Sequence, residues 1–326
     1  MKQWIAAMAA TALFGVASAA QAAGQYPDRA ITWIVPFSAG GPTDTMARNI
    51  ANKVSEELGQ SIVVENVPGA GGTIGATKAS RSEPDGYTFL VGHIGYMAAA
   101  PSLYQSLRYD PVKDFQAVFR FPDTPLVLLV GAGSPYASID EFVAFAKANP
   151  GRLNFSNAGV GSTSHLVAAL FANKAGIKMQ PIAYKGAGPA LNDLMGGQVD
   201  AMFDQTNTAL PQTQGGKVRA LGLTSSERMA QFPGVPTIGE KAVPGFEVAT
   251  WYGLYAPKGT PPAVIDTLYA AYREVMQDQA FTGSMAEQGI KLLPDEAYSP
   301  KAFQAFTEQE GKRWAPVIKE AGISLK

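Results

Sequence analysis

The residues best suited to chemistry in this chain are glycines and small hydroxyls at strand ends. Pro36-Phe37-Ser38-Ala39-Gly40-Gly41-Pro42-Thr43-Asp44 follows a short apolar run and precedes a helical pattern. Its two glycines let the backbone come close to a ligand. The helix start beyond them leaves free N–H groups and a partial positive charge, which suits an anion. Thr43 or Asp44 could cap that helix. Taken alone, the segment also fits a plain strand-to-helix turn. The second half of the chain repeats the device. Asn157-Ala158-Gly159-Val160-Gly161-Ser162-Thr163-Ser164-His165 again follows a strand and opens a helix with hydroxyls in its first turn. Two such loops facing each other across a cleft could hold one carboxylate. Hydrogen bonds to a charged group are worth roughly 1.5–3 kcal/mol each. A few of them give micromolar binding, about -8 kcal/mol, with no Arg or Lys in the site.

A third glycine-rich loop, Pro68-Gly69-Ala70-Gly71-Gly72-Thr73-Ile74-Gly75, does not match a dinucleotide fingerprint, because position 74 is Ile. It reads as a third wall, with Gly71 in the site, or as a tight turn. The nucleophile elbow, the P-loop and the H-E-x-x-H helix do not occur. With two histidines and no cysteine, a zinc site has few donors. Ser162 and His165, three apart on a helix, invite a serine-hydrolase reading, although His165 also fits a helix face at the cleft or the surface. His93 and Asp204 end strands, where open α/β sheets place ligands. Asp204 fits a helix cap as well. Tyr184-Lys185-Gly186 ends another strand. Phe37, Tyr96, Phe203 and Trp251 suit stacking on an aromatic ligand or packing in the core.

Alternating strands and helices must position these loops. Apolar, β-branched runs at 30–37, 61–67 and 87–92 alternate with helical spacing over 43–58 and a small-residue helix over 72–82. A second set starts at 126–130. It continues through a helix opened by the Ser138/Glu141 capping box, strands at 153–157, 179–184, 199–204 and 218–224, and helices at 162–175 and 189–195. A long strand at 248–256 and helices at 261–277, 281–288 and 299–320 close the chain. That tail has too few strands for a third sheet, so it is expected to pack on the first. The reading is two α/β lobes, 24–122 with 247–326 and 123–246, each a mostly parallel sheet flanked by helices. The chain crosses between them near 121–125 and 245–249, and the ligand cleft lies between the lobes.

The sequence has 326 residues with 26 Lys and Arg against 27 Asp and Glu, a net charge of -1. That argues against binding nucleic acid through phosphates. Charged residues are 16%, below the roughly 25% usual in soluble domains, and Gly (34) and Pro (23) point to many tight loops. The absence of cysteine excludes disulfides, a thiol nucleophile and an acylated cysteine. Residues 1–22 read as a secretory signal: Lys2, an apolar run over 5–16, and Ala20-Gln21-Ala22 as the cleavage pattern. The run is too short to span a membrane. Export to an envelope compartment makes chemistry on ATP or reduced nicotinamide a poor expectation.

Taken in order, these segments resemble the periplasmic substrate-binding proteins of tripartite tricarboxylate transporters, the Bug family. The resemblance spans nearly the whole exported chain. It is carried by Tyr26-Pro27-Asp28-Arg29, the Pro36–Asp44 loop, Glu65-Asn66-Val67-Pro68-Gly69-Ala70-Gly71-Gly72, Pro84-Asp85-Gly86-Tyr87-Thr88, Tyr109-Asp110-Pro111-Val112-Lys113-Asp114-Phe115, and Gly188-Pro189-Ala190-Leu191-Asn192-Asp193-Leu194 leading to Gly197-Gln198-Val199-Asp200. It implies a two-lobed, type II-like periplasmic-binding-protein fold that closes on a small carboxylate. It implies a clamp of Phe37, Ser38, Ala39, Gly40, Gly41, Thr43 and Asp44 from one lobe with Gly161, Ser162, Thr163 and His165 from the other. Ligand choice would then fall to side chains near His93, Tyr96, Tyr184 and Asp204. It further implies a di- or tricarboxylate ligand, and the extra aromatics tilt towards an aromatic or medium-length dicarboxylate. The expected partner is a membrane permease that the protein meets as a monomer; no cofactor is expected. Two rival expectations stand beside this one: a ligand sensor for an envelope kinase, and an exported hydrolase using Ser162 and His165.

Overall fold

In a computed structural model describing residues 26–320, short β-branched and aromatic runs form eleven strands. They are β1 (Ile31–Val35), β2 (Ile62–Asn66), β3 (Thr88–His93), β4 (Phe115–Arg120), β5 (Thr124–Gly131), β6 (Asn154–Asn157), β7 (Gln180–Ala183), β8 (Ala201–Gln205), β9 (Val218–Leu223), β10 (Ala249–Thr250) and β11 (Tyr252–Pro257). They make two sheets. The first has the order β2-β1-β3-β11-β4, and the second β10-β5-β8-β6-β7 with β9 also on β5. The signal segment expected at 1–22, with its cleavage near Ala22, lies outside the described residues.

Both sheets are mixed rather than mostly parallel. β1 runs parallel to β2 and β3, and β6 parallel to β7 and β8, as βαβ units require. β11, however, is antiparallel to β3 and β4, while β5 is antiparallel to β8, β9 and β10. The reason is the crossing. β5 and β11 are entered directly from the other sheet, with no helix to turn the chain round. The first crossing is at 121–123. The second is at Trp251, a few residues later than 245–249, because Ala249 and Thr250 still pair with Pro125 and Thr124. The strand expected over 248–256 therefore breaks at Trp251.

Helices follow the apolar periodicity. α1 (Pro42–Leu58) buries Met46, Ala47, Ile50 and Val54. α2 (Thr73–Ser80) is built of small residues. α3 (Ile139–Ala148), α4 (Thr163–Ala175), α5 (Ala187–Met195) and α6 (Thr206–Gln214) belong to the second lobe. α7 (Pro262–Gln277), α8 (Gln279–Glu287) and α9 (Pro300–Glu320) form the tail, and α7 and α9 pack on the first sheet, as expected. One wide helical turn at Gly95–Ala99 followed by Ala100–Leu103 has no counterpart in the sequence pattern, because its residues are apolar all round and carry no period.

The tail also braces both crossings. Trp251 is buried and donates its Nε1–H to Glu310 Oε2 at 2.9 Å; Trp314 donates to the same oxygen at 3.1 Å. Arg120, just before the first crossing, pairs with Asp123 at 2.8 Å and lies 3.5 Å over the Phe306 ring. The same Phe306 ring stands 5.5 Å from Trp251. Glu310→Ala strands two buried indole N–H groups, which is expected to cost about 2–4 kcal/mol. A fall in the urea midpoint at unchanged slope is the check.

Candidate functional site

Four helices start around one point between the sheets. α1 begins after β1, α4 after β6, α5 after β7 and α6 after β8, each within a few residues of the strand end. Their first turns supply Gly41, Pro42 and Thr43 from one lobe, and Ser162, Thr163, Ser164, Ala187 and Gln205 from the other, to the wall of a single cavity. Phe37, His93, Ala158, Phe203 and Asp204 complete it. α1, α5 and α6 carry no side-chain cap, so their first N–H groups are left for another acceptor. α4 is capped by Ser162, whose Oγ accepts the His165 backbone N–H at 3.4 Å. Among the described residues no Lys or Arg lines the cavity. The positive ends that face it are therefore those of helix dipoles and peptide N–H groups.

The lobes meet tightly here. The His93 ring is buried, and desolvation lowers its pKa to about 3. It is therefore neutral at ordinary pH. Its Nδ1 accepts the Gly95 N–H at 3.0 Å, so Nε2 carries the ring proton. Nε2 then donates across the cleft to Thr163 Oγ1 at 2.7 Å. Nearby, the Ser38 N–H donates to the Lys185 carbonyl at 3.4 Å, Asn207 Nδ2 donates to the Pro42 carbonyl at 3.4 Å, and the Tyr252 hydroxyl donates to Gln205 Oε1. Gly71 lies against the Val160 carbonyl, at φ 64°, and a Cβ there would overlap that oxygen. The enclosed space is about 10 Å³, room for about one water and far below the roughly 300–1,000 Å³ of ligand pockets. A molecule the size of a dicarboxylate does not fit in this space.

Several of the remaining expected residues stand elsewhere. Asp44 sits behind the first loop. Burial opposes its ionisation, but hydrogen bonds from Arg48, the Gly40 N–H and Asn66 outweigh this and hold the carboxyl below its usual range. It braces the loop instead of capping α1. Ala39 and Gly40 are exposed at the loop tip. The Gly161 N–H donates to His165 Nδ1 at 3.3 Å, and the His165 ring faces a separate groove with Phe155, Ala168 and Met179. Ser162 Oγ lies 3.2 Å from Ser164 Oγ, and its other contact is the His165 main chain; the pair does not form a nucleophile–imidazole contact. The Tyr184 hydroxyl donates to Asp193 at 2.6 Å, outside the cavity. Tyr96 stacks on His93 in the core, and Trp251 is at the crossing. Asp204 lines the cavity. Its Oδ2 accepts from Thr208 Oγ1 at 2.7 Å, and burial pushes its pKa up to about 7. Ala187 and Gln205 are lining residues that the sequence reading passed over. Gln205 is the last residue of β8 and Ala187 follows the end of β7; Gly186 before Ala187 carries the same signal as the other loops.

The sequence pattern of the family described as "Tripartite tricarboxylate transporter family receptor" matches residues 46–323. The chain is similar to the solved periplasmic binding protein BugD, with 40% identity, a TM-score of 0.88, and coverage of 92% of this chain and all of that one. It is similar to MatC from Rhodopseudomonas palustris with bound malate, with 37% identity, a TM-score of 0.86, and coverage of 90% and 100%. It is also similar to Rpa4515 of R. palustris with adipate, with 34% identity, a TM-score of 0.87, and coverage of 92% and 99%.

The His93 assignment predicts a ring that stays neutral from pH 8 to pH 5, since burial depresses its pKa below the ordinary 6.5. Nitrogen-15 NMR should show Nε2 protonated and Nδ1 not, with no titration in that range. The closed state keeps its full stability above about pH 6.5 and loses it as pH falls towards 3.

Proposed function

The chain belongs to the tripartite tricarboxylate transporter receptor family, and on that premise we propose that it captures a small dicarboxylate in the periplasm and delivers it to a membrane permease. The observation that carries this reading is the meeting of helix N-termini from both lobes around one cavity without a basic side chain. Such an arrangement binds a carboxylate by backbone N–H groups and hydroxyls alone. Malate and adipate, the acids bound by two solved relatives, fit the chemistry expected here. Thr43, Ser162 and Thr163 are the hydroxyls proposed to take one carboxylate, beside the first N–H groups of α1, α5 and α6. Phe37 and Phe203 are the aromatic rings proposed to lie against the ligand's carbon frame.

The open protein takes the acid at one lobe, and the second lobe closes over it about the crossings at 121–123 and Trp251. Closure removes water and strengthens every polar contact inside. The ligand favours the closed state only as far as it binds that state better. The closed monomer is the form proposed to dock on the permease. No cofactor is invoked.

Isothermal calorimetry against a panel of aliphatic and aromatic dicarboxylates, acidic amino acids and neutral sugars tests the reading. Micromolar binding of a dicarboxylate is the expected result, and a panel in which only a sugar binds would falsify it. Thr163→Val removes one hydroxyl contact and should weaken every bound acid by about 1–1.5 kcal/mol, roughly tenfold. Gly71→Val places a side chain against the Val160 carbonyl. It should keep the lobes apart, with small-angle scattering reporting a larger radius of gyration and calorimetry a loss of affinity for all acids alike.

A further inference from the structure

Asp204 is the one member of the cavity wall that an anion site does not call for. It is the only carboxyl among the lining residues and is 1% exposed. Its Oδ2 is engaged by Thr208, while Oδ1 has no hydrogen-bond partner among the described residues. The titratable groups around it are His93 from β3 and Tyr252 from β11. The first is neutral, because burial depresses its pKa, and the second is a buried phenol whose pKa burial raises. The neighbouring strand β5 sets Val127 opposite Asp204, and α4 and α5 bring only Ser162, Thr163, Ser164 and Ala187 to the same wall. No cation faces it. An ionised Asp204 next to a bound carboxylate would put two like charges in a dry space, and such pairs do not both stay ionised.

We propose that Asp204 meets the ligand as a neutral carboxylic acid, its Oδ1–H donating to a ligand carboxylate oxygen, so that capture takes up one proton from solvent. The inference rests on the carboxylate-capture reading above and adds a second rule of selection to it. A protonated Asp204 is a donor, so it accepts a carboxylate end and rejects an ammonium. The unpartnered oxygen is the atom that would carry the proton. Burial already raises this carboxyl to about 7, and a ligand anion beside it acts in the same direction.

Calorimetry with malate, adipate or whichever acid of the panel binds, run in buffers of different ionisation enthalpy, counts the protons. The expected result is uptake of close to one proton at pH 8, with affinity falling about tenfold between pH 8 and pH 9. Asp204→Asn keeps a donor that cannot titrate, so both the uptake and the pH slope should vanish. Binding by the parent protein at pH 8 without proton uptake overturns the inference and leaves acid capture standing. A pH-independent parent with no binding by Asp204→Asn also overturns it, because an ionised Asp204 would then be answering a cationic group on the ligand. A panel in which no carboxylate binds at any pH removes the capture reading, and this inference with it.

Discussion

The proposed capture of an anion without a basic side chain places a constraint on the whole molecule. Single peptide N–H groups are weak, so several must converge, and they must be fixed before the ligand arrives. Strand ends provide this. β1, β6, β7 and β8 all finish at the cleft, and each hands over within a few residues to a helix whose N-terminus faces the same small space. Three of the four helices have no side-chain cap. An uncapped start costs a helix some stability, and here it leaves donors facing the cavity. Asp44 shows how the loop is stiffened from behind. Its carboxylate gathers the Gly40 N–H, Arg48 and Asn66, while Asn66 also holds the Phe37 carbonyl.

Convergence from two lobes in turn requires a chain that passes between them. The mixed sheets follow from these crossings. A chain that crosses twice enters the far sheet directly, so β5 and β11 run against their neighbours. Both crossings touch the C-terminal helix, through Glu310 on Trp251 and Phe306 under Arg120. The tail thus braces both places where the chain passes between the lobes. The cleft side carries few but specific contacts, above all His93 to Thr163. Glycine at 71 is required there because two backbones meet where a side chain has no room.

Much of the fold was legible in the sequence. The β-branched runs, the helical spacing of Met46, Ala47, Ile50, Val54 and Leu58, and the Ser138/Glu141 cap each correspond to an element. The two-lobed α/β architecture and the family were legible as well, because ordered loop motifs carry more information than any one of them. The wide turn at Gly95–Ala99 was not legible, since a segment buried on all sides shows no periodicity. The break at Trp251 was not legible either, because pairing partners, and not propensity, decide where one strand becomes two.

By itself the sequence determined the grammar of the site: strand, glycines, small hydroxyls, helix, repeated along the chain. These are local rules of backbone geometry and are written in consecutive residues. Only the tertiary structure decided which members face one space. His165 and Tyr184 looked equivalent to Thr163 and Asp204 in the chain, yet the first pair turns to other partners while the second lines the cavity. The opposite pKa shifts of His93 and Asp204 likewise arise only in three dimensions. Burial is a property of everything packed around a group, and no residue's own sequence neighbours supply it.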